Sequence, residues 1–434
     1  MRLLSLLAVL ALAVPAVAQP ALDAEAARAQ PLDGGKMWLF EDPPTEYLQE
    51  TYGFAPDEAW YRRARLASLR MPGCSASFVS PNGLVLTNHH CAQRHIVAVD
   101  RGGEGLLDDG FQPETSAEER RVPGLFMDQA VAIDDVTDAM SAAVDAAETD
   151  AEREAAFEAA RDAVTARLLT AYGITAPNPD TDDYVVQVVA LYNGGTYSAY
   201  TFRRYRDVRL AMAPEQALGF FGGDPDNFTY PRYAADFALF RIYGDDGQPL
   251  DSPEYFPLSA EGVEAGSLVF VIGNPGSTSR GLTVAELEFL RDAGLAGTYR
   301  FIQTREAALR AYLATGMDAE PDVLRSRIFG LSNSRKAYGG RLDGLSDPTI
   351  IARRADAERA FRAASPEAAA LIDQQAAIQA EKMEMAAAYR AFPTLFNRNY
   401  GSALMKRARA LAMGDAEAAA AVEASADLLE RAYL

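Results

Sequence analysis

The alternation of hydrophobic and polar positions divides the chain near residue 280 into a β-rich first part and a helical second part. Before the division, short apolar segments bounded by turn residues predict strands at 75–80, 84–87, 184–192, 196–210, 236–243 and 267–272, and the alternation of aromatic and arginine residues at 196–210 suits a half-buried strand. A run rich in Ala and Glu interrupts them and predicts a helix near 140–172. From Val284 onward Gly and Pro become rarer, and helix formers dominate 286–313, 350–390 and 403–433.

A β-hairpin is predicted where the first two strands meet. Strands 75–80 and 84–87 are separated by a Pro-Asn-Gly sequence at 81–83. The Asn-Gly pair supplies the backbone freedom that a tight turn requires. We therefore expect the hairpin to deliver the adjacent His89 and His90 to the end of a strand.

The hairpin and the residues beside it hold both cysteines of the chain and two of its three histidines. A disulfide between Cys74 and Cys91 would fix the turn that carries His90, with a stabilisation of about 3 kcal/mol in the chain-entropy model. Because acyl transfer requires a general base held in a fixed position, His90 is the candidate base. The alternative is that His89 and His90 only cap a strand end through hydrogen bonds.

A zinc site built from His89, His90, Cys91 and His95 is a weaker hypothesis. Adjacent histidines on a strand point to opposite faces of the sheet. A cysteine with one available partner in an exported chain is also better explained by a disulfide than by a metal. We expect neither a metal ion nor an organic cofactor.

The first 18 residues have the features of a secretory signal peptide. A positive start at Met1-Arg2 precedes an apolar run at 3–14, which is too short to span a bilayer, and small residues at 16–18 mark a cleavage site. No later segment is long and apolar enough to cross a membrane. These features predict a soluble protein that is periplasmic or secreted. Disulfides persist in such oxidising compartments.

The composition is that of a folded protein with more than one ordinary domain. The chain has 434 residues, of which 49% are hydrophobic and 24% are charged. Its net charge of -20 argues against nucleic acid and anionic membranes as partners, because both require basic patches. The acidic excess lies largely in Ala-, Glu- and Asp-rich helical stretches, so we interpret it as favouring solubility.

A second informative segment, 220–241, offers a carboxylate partner for the base. Asp236 opens a predicted apolar strand, where an unpaired carboxylate would be costly, so it is the candidate acid that orients the imidazole. The order of His90 before Asp236 fits a chymotrypsin-like arrangement with insertions. Asp224 and Asp226 lie in a Gly- and Pro-rich turn, where Asx-turn geometry is favoured over calcium binding.

These motifs resemble the S46 family of serine peptidases, the bacterial dipeptidyl-peptidases 7 and 11 and their relatives. The resemblance covers nearly all of the chain after the signal peptide. It rests on the Gly-Lys-Met-Trp start, the Gly-Cys-Ser to His-His-Cys block, the Phe-Gly-Gly-Asp-Pro-Asp-Asn segment and the Asp-Phe-Ala-Leu-Phe-Arg segment, at 35–38, 73–91, 221–227 and 236–241.

The resemblance implies a mixed β and α fold. Its β part would be a chymotrypsin-like β-barrel, the first barrel of a double-barrel peptidase, and an α-helical domain would follow it. The barrel part would occupy residues 19–280, with the helical insertion near 140–172. An incomplete α-helical lid domain would occupy residues 281–434, and the second barrel would be absent from this chain.

The resemblance also assigns the site residues. It implies that His90 is the base and Asp236 the acid of a catalytic triad. It implies that Asn227 and the backbone of Phe228, at a position where a tryptophan is usual, hold the free amino terminus of a peptide together with Asn333. The implied activity is that of a serine-type dipeptidyl-peptidase acting on oligopeptides, in which a clamp at a fixed distance from the scissile bond selects the second peptide bond.

The nucleophile motif of the family, Gly-Asn-Ser-Gly-Ser-Pro, does not occur in the 434 residues. Ser277 is followed by Thr278 instead of a glycine, and Ser332, Ser346 and Ser402 also lack a Gly-x-Ser-Gly setting. We expect a C-terminally truncated peptidase, because a first barrel without its partner would expose apolar surface and half a cleft. Without the nucleophile motif, we expect this chain to be inactive alone. The alternatives are a catalytically dead peptide-binding or scaffold protein and one half of a split peptidase. The missing half or a second copy is a possible partner.

Overall fold

The computed structural model describes residues 23–30, 32–219, 227–275, 279–316, 321–387 and 414. The chain divides into two compact units. The sheet unit comprises Gly35–Gly281 and Gln303–Lys336, and the helical unit comprises Met1–Gly34, Leu282–Ile302 and Ala337–Leu434. The predicted signal peptide, the predicted helix at 403–433, Asp224, Asp226, Ser277 and Ser402 lie outside the described residues.

One antiparallel sheet forms the centre of the sheet unit. The strands found in the described residues are β1 Ser68–Met71, β2 Cys74–Phe78, β3 Leu84–Thr87, β4 Arg120–Arg121, β5 Met127–Asp135, β6 Tyr184–Leu191, β7 Thr196–Tyr205, β8 Val208–Met212 and β9 Ala238–Ile242. Their order across the sheet is β4-β8-β9-β3-β2-β1-β5-β7-β6, and every pairing is antiparallel. The predicted mixed β and α class is confirmed.

The predicted hairpin is confirmed as β2 and β3, which pair Ser77 with Leu86 and Phe78 with Val85. Gly83 in the turn has a φ of 71°, in the left-handed region that glycine tolerates best. A Cβ atom there would lie 2.5 Å from the carbonyl oxygen of Ile242. The turn therefore requires glycine for both its backbone conformation and its close approach to β9.

Three of the predicted strands differ from the observed ones. The segment predicted at 196–210 forms two strands, β7 and β8, and the segment at 236–243 begins only at Ala238. The segment at 267–272 forms no strand, and Phe270 instead packs against Trp60, with ring centroids 5.1 Å apart. An apolar segment favours burial of its side chains, but a strand also needs a neighbouring strand whose backbone groups can pair with it.

The principal core fills the space behind the central strands. Its largest fully buried side chains include Phe78, Val85, Met127, Leu210 and Phe240. Each such side chain contributes about 1.5–3 kcal/mol through burial of apolar surface. The core therefore fixes the ends of β3 and β9, which border the site described below.

Helices of the sheet unit connect the strands. They are α1 Thr45–Tyr52, α2 Glu58–Ala67, α3 His89–Val99, α4 Leu106–Asp109, α5 Thr137–Asp145, α6 Asp150–Thr170 and α7 Gln216–Gly219. The helix predicted near 140–172 is two helices, because Thr149 caps α6 by accepting a hydrogen bond from the backbone N–H of Glu152. A second core, with Met140 and Val164 at its centre, packs α5 and α6 against the sheet.

The remaining helices are α8 Val284–Phe289, α9 Ala296–Leu313, α10 Pro321–Ser346, α11 Pro348–Ala364 and α12 Pro366–Glu384, with a π-helical turn at Leu290–Leu295. The predicted helix at 350–390 is two helices, because Ser365 caps α12 and Pro366 cannot continue α11. Among the described helices, none is both long and apolar enough to span a bilayer.

Candidate functional site

The candidate site begins where β3 ends and α3 begins. Asn88 is the N-cap of α3, and His89 and His90 occupy the first turn of the helix. Both histidines therefore follow the end of β3, as expected, but they lie in a helix and not on a strand. Successive residues of a helix are rotated by about 100°, so the two rings enter different surroundings without lying on opposite faces of a sheet.

His89 is a buried residue of the interior. It is 2% exposed, and a Cβ atom added to Gly219 would lie 2.5 Å from its Cγ. Burial lowers the pKa of His89 in spite of the nearby charge of Asp236, so the ring is neutral at neutral pH. The side chain of His90 is 33% exposed. Of the two rings, that of His90 is the accessible one.

The structure brings His90 and Asp236 together. Strand β3 pairs with β9 so that Thr87 lies opposite Ala238, and the residues just outside this pair therefore face one another. The Nδ1 atom of His90 lies 2.8 Å from Oδ2 of Asp236 and 3.1 Å from Oδ1. The backbone N–H of His90 also donates to Oδ1, at 3.0 Å. The carboxylate thus fixes the ring and the first turn of α3 together.

Asp236 is an ionised carboxylate in this setting. Burial alone would raise the pKa of Asp236, but hydrogen bonds from the ring and backbone of His90, with the charges of His90 and Arg232, hold it below the ordinary value of 3.8. Because an ionised carboxylate only accepts hydrogen bonds, Nδ1 of His90 carries the proton. Asn88 adds a donor, with Nδ2 lying 3.1 Å from the carbonyl oxygen of Asp236.

A disulfide ties the first turn of α3 to the sheet. It joins Cys74 in β2 to Cys91 in α3, with Cα atoms 6.2 Å apart. The sulfur atoms and the ring of His90 lie within 4.8 Å of one another. Because the sulfurs are bonded to each other, they are not thiolates and do not act as zinc ligands. His95 is buried beside Arg94, and burial followed by that charge lowers the pKa of His95 to about 4.

The structure also brings Asn227 and Asn333 together, although 106 positions separate them in the chain. Asn227 is 2% exposed, and its Nδ2 donates to Oδ1 of Asn333 at 2.9 Å. Two cationic side chains approach the same residue. Arg232 donates to Oδ1 of Asn227 at 3.5 Å, and Lys336 donates to its backbone carbonyl oxygen at 3.2 Å.

Phe228 lies beside this amide pair in an unusual conformation. Its φ is 61°, in the left-handed region that bulky side chains rarely adopt, and the residue is 60% exposed. Such a conformation costs of order 1–3 kcal/mol and persists only where the surrounding structure imposes it. The backbone of Phe228 is therefore held in place next to Asn227.

Three contacts of the site were not predicted from the sequence, namely those of Asn88, Arg232 and Lys336. Asn88 had a local signal, because asparagine is a favoured N-cap residue. Lys336 shares a face of α10 with Asn333, because residues three apart are neighbours on a helix. The contact of Lys336 with Asn227 can be recognised only when α10 and the segment that contains Asn227 are known to lie together.

Known proteins resemble this chain over much of its length. A model of the family described as Peptidase S46 matches residues 32–427. Dipeptidyl-peptidase 7 of Capnocytophaga gingivalis is 29% identical over 302 residues, which are 67% of this chain and 40% of that protein. An Asp/Glu-specific dipeptidyl-peptidase of Shewanella putrefaciens is 32% identical over 314 residues, with 67% of this chain and 39% of that protein covered. The chain thus spans about 40% of the length of these relatives.

A solved structure shows a similar fold. The crystal structure of Porphyromonas endodontalis DPP11 in complex with the dipeptide Arg-Glu matches with a TM-score of 0.67 and 21% sequence identity. The match covers 81% of this chain and 53% of that chain.

Proposed function

The chain belongs to the peptidase S46 family, and we propose that it supplies the general base, the orienting acid and the amine-binding residues of a serine-type dipeptidyl-peptidase. The observation that carries this proposal is the His90–Asp236 pair, in which Nδ1 lies 2.8 Å from an ionised carboxylate. The two relatives named above are dipeptidyl-peptidases. The proposed reaction is release of dipeptides from the free amino terminus of oligopeptides.

In the proposed mechanism, Asp236 holds the ring of His90 in the tautomer that carries its proton on Nδ1. The Nε2 atom then accepts the proton of a serine hydroxyl as that hydroxyl attacks the peptide carbonyl. His90 later returns the proton to the leaving amine, and Asp236 stabilises the imidazolium that forms between these steps. We place the serine, the oxyanion hole and a second barrel in the part of the active molecule that carries the Gly-Asn-Ser-Gly-Ser-Pro motif.

We assign the amine end of the substrate to Asn227, Phe228 and Asn333. An ammonium group offers three donors and needs acceptors, which carboxamide and backbone oxygens provide. The hydrogen bond between buried Asn227 and Asn333 and the imposed backbone conformation of Phe228 support a rigid site of this kind. Holding the ammonium at a fixed distance from the reacting carbonyl would select the second peptide bond, because binding away from the reaction centre orients it.

We further propose that the protein is exported, with residues 1–18 as its signal peptide and the periplasm or the exterior as its location. The Cys74–Cys91 disulfide supports this proposal, because disulfides persist in oxidising compartments. We also propose that the α-helical part of the chain forms a lid over the substrate cleft.

The proposal is tested by release of a fluorescent dipeptide from substrates with a free or an acetylated amino terminus. The protein is expressed from its gene together with the downstream sequence, and its mass is recorded. We expect cleavage of the free-amine substrate only, and complete loss of cleavage in His90→Ala with an unchanged melting temperature. Equal cleavage of both substrates would reject exopeptidase action. Binding of the free-amine substrate without cleavage would favour the peptide-binding alternative.

A second measurement tests whether the 434-residue chain contains a nucleophile of its own. We expect no labelling of the 434-residue chain by a fluorophosphonate, because its sequence contains no nucleophile motif of the family. Stoichiometric labelling of this chain would show that it contains a nucleophile that the motif does not identify.

A further inference from the structure

A charged cluster around a buried carboxylate includes Ser332, the neighbour of Asn333 in the chain. It consists of Glu306 and Arg310 on α9 and of Ser332 and Arg335 on α10, and we call it the Glu306 cluster. Oε1 of Glu306 accepts hydrogen bonds from Ser332 Oγ at 2.6 Å and from Arg310 Nε at 2.9 Å. Oε2 accepts one from Arg335 Nε at 2.7 Å. Arg310 also donates to Ser332 Oγ, at 2.8 Å.

The carboxylate of Glu306 is central to this cluster. The residue is 5% exposed, and burial by itself would raise its pKa. Hydrogen bonds from Ser332, Arg310 and Arg335 lower the pKa below its ordinary value, so the group is ionised at neutral pH. Movement of this carboxylate away from its three donors would be costly, because it would leave a buried charge unpaired.

The cluster and the amide pair lie on neighbouring faces of α10. Ser332 and Arg335 are three residues apart and form the face that contacts Glu306. Asn333 and Lys336, also three apart, form the next face and both contact Asn227. One face of α10 is therefore held by a charge cluster, and the adjacent face presents the amide that pairs with Asn227.

A small rotation of α10 about its axis would displace Asn333 relative to Asn227. Side chains lie about 5 Å from a helix axis, so a rotation of about 10° moves a side chain by about 1 Å. A misplacement of about 1 Å at a substrate-positioning group is enough to cost about 100-fold in rate. The contact of 2.9 Å between Asn227 and Asn333 leaves little room for such a movement.

We propose that Glu306 is a positioning residue, which fixes the rotation of α10 and thereby holds Asn333 where it and Asn227 receive the terminal ammonium of the substrate. This inference rests on the proposed function, because it deepens the assignment of the amine site. Glu306 acts through Asn333 and does not itself contact the substrate.

The test compares the binding of dipeptides with free and acetylated amines, measured by isothermal titration calorimetry. The probes are Arg-Glu, Ala-Ala and Leu-Phe, and the tightest binder is used for all variants. We expect wild-type protein to bind the free amine at least tenfold more tightly than the acetylated form. Glu306→Gln should lower this ratio about tenfold and leave the affinity for the acetylated form unchanged.

The matched control is Glu358→Gln. Glu358 also pairs with an arginine four residues away on its helix, Arg362, but lies in the helical unit. The control should retain the wild-type ratio. In an Asn333→Ala background, Glu306→Gln should cause no further loss of the ratio, because its effect passes through Asn333.

An unchanged affinity ratio in Glu306→Gln would overturn the inference. So would a loss of the ratio in the Asn333→Ala background as large as in the wild-type background. Neither result would contradict the proposed amine site. If Glu306→Gln does not fold, Ser332→Ala and Arg335→Lys are measured in its place, and unchanged ratios in both would overturn the inference. Equal binding of free and acetylated dipeptides by wild-type protein would instead overturn the proposed amine site, and this inference with it.

Discussion

Replacement of Asp236 by asparagine tests the central geometry of the site. In the wild-type protein the ionised carboxylate accepts from Nδ1 of His90 at 2.8 Å. An asparagine amide in the same position offers an N–H donor to the ring, which favours the tautomer with its proton on Nε2. That nitrogen then cannot accept the proton of a nucleophile, and the corresponding substitution in other triads lowers kcat by about 10⁴-fold, or about 5.4 kcal/mol of transition-state stabilisation.

The fold should tolerate this change. The side-chain oxygen of asparagine can still accept from the backbone N–H of His90, which lies 3.0 Å from the present carboxylate. We expect a loss of stability of about 1 kcal/mol, the usual net contribution of one hydrogen bond. Because the folded-state pKa of Asp236 is lowered, its stabilising effect is present at neutral pH and is lost as the pH falls through that pKa. The stability difference between wild type and variant should therefore shrink in acid.

Two assays check these expectations. Turnover of a fluorogenic free-amine substrate is measured on protein that includes the nucleophile, and nitrogen-15 NMR of the histidine ring reports the tautomer in the 434-residue chain. The control is Asp207→Asn, which removes a carboxylate paired with Arg209 in the same sheet unit. A variant that keeps its kcat within tenfold of wild type, or keeps the proton on Nδ1, would refute the role assigned to Asp236.

Three further changes test the framework around the site. Replacing Cys74 and Cys91 by serine should cost about 3 kcal/mol, because the disulfide closes a loop with a sequence separation of 17, and urea unfolding with and without reductant measures the loss. Asp128→Asn should cost about 3 kcal/mol, because the side chain is 1% exposed and pairs with two arginines; a change below 1 kcal/mol in thermal unfolding would contradict this. Gly219→Ala should cost about 1–3 kcal/mol, because the added Cβ would lie 2.5 Å from His89 Cγ; an unchanged melting temperature would show that the ring can move away.

Several features were readable from the sequence because they depend on neighbours in the chain. The Asn-Gly turn between β2 and β3 is one. The break between α11 and α12 at Pro366 was not predicted, although its cause is equally local. The motif segments that identify the family are also contiguous, so family membership could be predicted and is confirmed.

Other parts of the local structure were not predicted. His89 and His90 follow the strand that ends at Thr87, as expected, but the helix that begins after Asn88 was not predicted. The apolar run at 267–272 has the composition of a strand, but the aromatic side chain of Phe270 packs on Trp60 and the segment joins no sheet. An apolar run shows which side chains favour burial, and it contains no information about backbone partners.

The sequence by itself determined the hairpin, the candidate base, the candidate acid and the family. Only the tertiary structure decided that His90 meets Asp236, because this contact depends on the register of β3 against β9, and a slip of one residue would turn the side chains to the opposite face. The pairing of Asn227 with Asn333 likewise depends on the rotation of α10, which the buried charge of Glu306 holds. Register and rotation arise from packing between segments distant in the chain, and no local pattern encodes them.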